Sequence, residues 1–164
     1  MDNFAEALAA VENLKRERIV EEYAIGGAMA LIFWSEPTPT FDLDVFVLLA
    51  SPAPLVSLDT IYAWARRKEY KEIAEHIEIA GVPVQFIPAP NALTEEAIRT
   101  AADMDYEGQP VRVIRPEYLI ALALEPGART RKRVARVNEL LDEGVVDPNV
   151  VHELLTRYNL KLPE

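Results

Sequence analysis

A chain of 164 residues and 18.4 kDa is long enough to form one domain around a real hydrophobic core. Its 17 basic and 27 acidic residues leave a net charge of −10, which argues against a protein that coats nucleic acid by phosphate neutralisation alone. Half of the residues are hydrophobic, so the composition is that of a folded chain and not of a disordered one.

In chain order, Phe4, Ala7, Leu8, Val11, Leu14, Ile19 and Val20 recur at near-helical spacing. They predict an amphipathic helix from Asp2 to about Glu22, capped by Asp2 or Asn3. Tyr23-Ala24-Ile25 reads as a very short strand that Gly26-Gly27 breaks, and Ala28 to Trp34 as a buried helix, apolar all round. Pro37 and Pro39 put a loop over residues 35–40. Phe41 to Leu49 is a strand by residue type, followed by a Pro-rich turn and a helix from Leu58 to Arg67. A hairpin is expected across Ala80-Gly81, joining Glu75–Ile79 to Val82–Ile87. Thr94 is expected to cap a helix running to Ala101. Short strands follow at Asp105-Tyr106 and Val111–Ile114. Pro116 then opens a helical tail, with breaks near Pro126-Gly127 and at 144–147.

The chemistry available is narrow. Without cysteine there is no thiol catalysis, no disulfide and no Cys-based metal site, and two histidines, His76 and His152, make no histidine cluster. A metal must therefore be held mainly by carboxylates, which favours a hard cation such as Mg²⁺. The sequence opens on Met1-Asp2-Asn3-Phe4-Ala5-Glu6, acidic where a signal peptide is basic, and its apolar runs are short for a membrane span. A cytoplasmic protein, away from the membrane, is expected.

Asp42 and Asp44, two apart in a strand, project from one face, where burial side by side is costly unless a cation sits between them; two carboxylates facing solvent at a strand end are the plainer alternative. Gly26-Gly27, fifteen residues upstream, lets the backbone approach a ligand and frees the N–H groups of the helix start at Ala28 for an anion. Asp103-x-Asp105 is a second such pair, read as turn chemistry because Glu107 and Gly108 follow it.

The run Tyr23-Ala24-Ile25-Gly26-Gly27-Ala28, continued by Thr40-Phe41-Asp42-Leu43-Asp44-Val45-Phe46-Val47, resembles the nucleotidyltransferase superfamily of the polymerase-β type. It is most similar to the small bacterial members related to abortive-infection and toxin–antitoxin nucleotidyltransferases. The likeness extends through Gly81–Ile87 and into Arg115–Ala121. It implies an α/β fold of the α+β type: a mixed β-sheet nucleotidyltransferase core over residues 1–115, flanked by helices, with a C-terminal helical tail over 116–164 packed on it. The implied reaction is transfer of a nucleoside monophosphate from an NTP, ATP first among them, to a hydroxyl. Asp42 and Asp44 would bind Mg²⁺ or Mn²⁺, and Gly26, Gly27 and Ala28 the phosphates.

The family's third carboxylate falls on Gln85, whose amide takes no proton, and a basic residue common in the family would fall at Thr38. His76, facing Gln85 across the expected hairpin, is a candidate base. Arg129, Lys132, Arg133 and Arg136 share a helical face that suits a triphosphate or an RNA acceptor; a solvated face paired with Glu125, Glu139 and Glu143 is the plainer alternative. A dehalogenase-type phosphatase also begins with Asp-x-Asp, but there the apolar strand precedes the aspartates, whereas here it follows. The rival function is an NTP-binding or regulatory module without turnover, such as a toxin–antitoxin partner subunit. The acceptor (protein, tRNA or small molecule), a partner protein and a homodimer stay open.

Overall fold

The computed structural model describes residues 3–35, 42–50, 58–128 and 130–163. The expected loop at 36–40, Phe41, the Pro-rich turn at 51–57 and Arg129 lie outside the described residues. The described elements are α1 (Asn3–Arg16), β1 (Val20–Gly26), α2 (Gly27–Trp34), β2 (Leu43–Leu49), α3 (Asp59–Arg67), β3 (Lys71–Ile73) and β4 (His76–Ile79). They continue with β5 (Val82–Pro88), α4 (Ala92–Arg99), β6 (Ala102–Tyr106), β7 (Gln109–Val113), α5 (Pro116–Ala123), α6 (Arg131–Glu143) and α7 (Pro148–Arg157). None of these helices is long and apolar enough to cross a membrane.

The strands form one seven-stranded mixed sheet in the order β3-β4-β5-β2-β1-β7-β6. β2 is the middle strand, antiparallel to β1 and parallel to β5. Alternation sorts the side chains of this centre. Leu43, Val45 and Val47 of β2 and Val84 and Phe86 of β5 are buried on one face with α1 and α3, around Leu8, Leu14, Ile61 and Trp64. Asp44, Phe46, Gln85 and Ile87 point the other way, toward the helices that follow β7. There Ala24, Leu48 and Ile114 pack with α4, Tyr118 of α5 and Leu154 of α7. Leu31 of α2 packs with Ile120, Val137, Leu140 and Val151.

Local chemistry moves several boundaries from their expected places. The first helix ends at Arg16 instead of running to Glu22. Arg18 turns left-handed at φ 60°, Ile19 N–H returns to the Leu14 carbonyl at 2.9 Å, and Arg18 N–H to that of Lys15 at 3.0 Å. This closes a Schellman motif on an arginine, and the β-branched pair Ile19-Val20 passes into β1. The cap of α4 is Asn91, whose side chain accepts from Thr94 N–H at 2.9 Å; Thr94 itself is buried inside the first turn. Asp103 and Asp105 lie in β6, not in a helix-to-strand connection, although Asp105 does accept from Gly108 N–H at 3.0 Å to close the turn. β3, three exposed residues at the sheet edge, has no counterpart in the sequence reading.

The Ala80-Gly81 hairpin forms as expected, with Ile79 opposite Val82 and Glu78 opposite Pro83. Pro116 opens α5. Trp64 is wholly buried and donates from Nε1 to Glu17 at 3.1 Å, so it anchors α3 to the end of α1. Truncating it to alanine is expected to cost about 3–5 kcal/mol, read as a fall in the guanidinium midpoint.

Candidate active site

One line of backbone pairing builds the site. Asp44 of β2 lies opposite Gly26 of β1 and, on its other side, opposite Gln85 of β5. The three positions therefore stand in a row across three neighbouring strands. In the β4–β5 ladder the last pair is Ile77 with Val84, so His76 is next in register beside Gln85.

Gly26 and Gly27 are required by what surrounds them. A Cβ on Gly26 would sit 2.4 Å from the Phe46 ring. One on Gly27 would sit 2.3 Å from Asp44 Oδ2, and Gly27 also has φ +61°, the left-handed region that side chains rarely adopt. The carboxylate of Asp44 thus lies against bare backbone at the first residue of α2. Gly26 occupies the N-cap of α2 and contributes no side-chain cap. The N–H groups of the first turn, Ala28 included, are thereby left to an anion.

Asp44 is half-buried, and its carboxyl is held above the ordinary carboxylate range. Burial is the main cause and repulsion from Asp42 adds to it, while His76, Arg133 and Arg136 pull it back. Asp42 is exposed and immediately precedes β2, whose first residue is Leu43. Repulsion between the two carboxylates is what a cation would remove. Among the described residues no group of three or more His, Cys, Asp or Glu side chains converges on one point. Two carboxylates and the Gln85 amide oxygen are nevertheless a hard, all-oxygen donor set. Such a set suits Mg²⁺ or Mn²⁺, which commonly take one or two carboxylates and complete their shell with phosphate oxygens and water.

A cavity of about 310 Å³ opens between this row and the C-terminal helices. Gly27, Asp44 and Gln85 line its sheet side, and Leu119, Leu122, Val137 and Leu140 most of the far wall. Arg133 and Arg136 of α6 project into the same space, one turn apart. Neither they nor Arg131 and Lys132 form an ion pair among the described residues, although Lys15, Arg66, Lys68, Arg99, Arg112 and Arg157 all do. Two of the carboxylates suggested by sequence as their partners are engaged elsewhere. Glu125 accepts from Asn91 at 2.9 Å, and Glu139 from Ser35 at 2.8 Å.

Lys132 is exposed and is not on the cavity wall, and His76, though close enough to act on Asp44, is not on it either. Arg133 and Arg136 replace Lys132 as the cations facing the row. Their 133/136/137/140 spacing carried that signal, because it puts both arginines beside the apolar stripe of α6.

No family model matches the sequence, and neither does any curated protein. Solved structures do. The chain overlays an antigenic nucleotidyltransferase-like protein from Paracoccidioides brasiliensis with a TM-score of 0.60 at 12% identity, covering 96% of this chain and 87% of that one. This chain has the nucleotidyltransferase fold. The antibiotic-resistance factor ANT(2'')-Ia shares it in solution, with a TM-score of 0.53 at 18% identity and coverage of 97% and 93%. ANT(2'')-Ia in complex with adenylyl-2''-tobramycin gives 0.56 at 18% identity, with coverage of 96% and 99%. The α/β class, with its mixed sheet flanked by helices, is thus both the expected and the observed one.

Two outcomes follow for this nucleotidyltransferase-fold chain. Gly27→Ala should displace the Asp44 carboxylate as well as strain the backbone. Gly108→Ala, at φ +88° with nothing within 4 Å of the added methyl, should pay only the backbone cost. Thermal denaturation of both is expected to show the larger loss at Gly27. The second outcome concerns Asp44, which is harder to ionise when folded than when unfolded. Its stabilising protonated form is fully present below the ordinary value of 3.8 and is lost as pH rises through the folded value. Asp44→Asn, tested at neutral pH without divalent metal, should therefore melt higher than the native protein.

Proposed function

We propose that the cleft binds a nucleoside triphosphate with a divalent cation and transfers its nucleoside monophosphate to an acceptor oxygen. The observation that carries this reading is the row Gly26–Asp44–Gln85, with bare backbone against a carboxylate and Arg133 and Arg136 on the opposite wall. Asp42 and Asp44 would hold Mg²⁺ or Mn²⁺, which when bound neutralises triphosphate charge. The turn at Gly26-Gly27 and the first N–H groups of α2 offer donors for the β- and γ-phosphate oxygens. From the far wall, Arg133 and Arg136 offer charge-assisted donors to phosphoryl oxygens on the acceptor side of the cleft. Leu119, Leu122 and Val137 make that wall apolar and keep water from competing for the α-phosphorus. Attack by the acceptor oxygen there breaks the bond to the β-phosphate, and pyrophosphate leaves. ATP is the first donor to test.

A second reading, an NTP-binding module with little turnover such as a toxin–antitoxin partner subunit, is favoured by Gln85. It stands beside Asp44, where a third carboxylate would be expected. The readings share nucleotide binding and differ in product. With Mg²⁺ and each NTP in turn, the native protein should gain about 2.7 kcal/mol of stability at a hundred times the dissociation constant. Asp42→Ala/Asp44→Ala should lose that gain. Pyrophosphate release in the presence of acceptor distinguishes transferase from module, and no stabilisation by any NTP would exclude both.

A further inference from the structure

The described cavity wall provides no group suited to deprotonating a neutral alcohol. Asp44 is its sole carboxylate and is assigned, with Asp42, to the cation, and among the described residues the wall has no histidine, lysine, tyrosine, serine or threonine. The side chain in register beside Asp44 is the amide of Gln85, which neither accepts a proton at neutral pH nor repels an anion. Facing it are the guanidinium groups of Arg133 and Arg136, which form no ion pair within 4.0 Å among the described residues and act on Asp44 across the cleft. A wall with cations and no base suits a nucleophile that arrives already ionised.

We infer that the acceptor is a small phosphate monoester whose oxyanion attacks directly, an assignment that rests on the nucleotidyl-transfer reading above. A phosphate monoester has its second pKa at about 6, so the dianion predominates at neutral pH and no base is needed. An acceptor oxygen bonds to the α-phosphorus of the NTP as the α–β bridging bond breaks, and the electron pair leaves with pyrophosphate. No proton moves, and the product is a new phosphoanhydride. The cavity volume of about 310 Å³ is that of a small-ligand site. A polycation such as an aminoglycoside meets two arginines here and no carboxylate left over for its ammonium groups.

The test is calorimetric titration of the protein loaded with Mg²⁺ and a non-hydrolysable ATP analogue. Ribose 5-phosphate and glucose 1-phosphate are compared with ribose, glucose and tobramycin. The sugar phosphates should bind at least tenfold more tightly than their parent sugars, and tobramycin should not bind. Arg133→Ser and Arg136→Ser, made at side chains that reach solvent, should each weaken the sugar phosphates at least tenfold. Gln85→Glu gives opposite signs for the two chemistries. A carboxylate there should repel a phosphate acceptor and lower both its binding and its transfer, whereas for an alcohol it would supply the missing base and raise transfer.

Equal binding of sugars and sugar phosphates overturns the inference, as does tobramycin binding or faster transfer in Gln85→Glu. It falls too if the arginine variants weaken only the analogue, or if transfer to an alcohol depends on His76. Failure of the analogue itself to bind would remove the nucleotidyl-transfer reading, and this inference with it.

Discussion

Asp44 meets Gly26 on one side and Gln85 on the other because β2 pairs with both neighbours in one register, and that register is set by the strand's opposite face. Leu43, Val45 and Val47 are all fully buried against α1 and α3. Sliding β2 by one residue would drive Asp44 into that core and bring a valine to the cleft, so core packing fixes where the carboxylate points. The glycines complete the constraint. Gly26 makes room for the Phe46 ring and Gly27 for the carboxylate itself, so the turn into α2 and the strand beside it fit together as one unit.

The two walls of the cleft differ in kind. The sheet wall carries the Asp44 carboxylate, the Gln85 amide and the bare backbone of Gly27 beside Phe46 and Ile87, while the helical wall is apolar and bears two guanidinium groups. Across the cleft the arginines act on Asp44 against the effect of its burial. A fold held in common with ANT(2'')-Ia does not carry over its acceptor, because acceptor choice resides in wall side chains that 18% identity leaves free to differ.

Legibility in the sequence followed the strength of local signals. Gly26-Gly27, the Asp42/Asp44 pair and the Ala80-Gly81 hairpin stood out as local patterns, and Gln85 only through the family resemblance. The end of α1 did not stand out, because its left-handed residue is not glycine, whereas the end of α3 at Arg67 was read correctly. Arg18, Glu69 and Asn159 close α1, α3 and α7, and the first of these let the predicted helix overrun into β1. β3 was invisible because all three of its residues are exposed, leaving no alternation to read. The cavity wall required knowing that α5 and α6 lie across the sheet from Asp44. That arrangement depends on long-range contacts, such as Trp34 Nε1 donating to the Ile114 carbonyl at 2.9 Å and Ser35 reaching Glu139.

The central position of β2 bears on how the two walls can move. A strand with three neighbours on either side opens only when the whole sheet comes apart, so the oxygen wall belongs to the slowest-exchanging part of the molecule. Helix α6 makes its main contact with α5 and buries only Val137 and Leu140, so its opening costs less. The cleft therefore has one wall built into the centre of the sheet and one resting on a helix that buries two side chains.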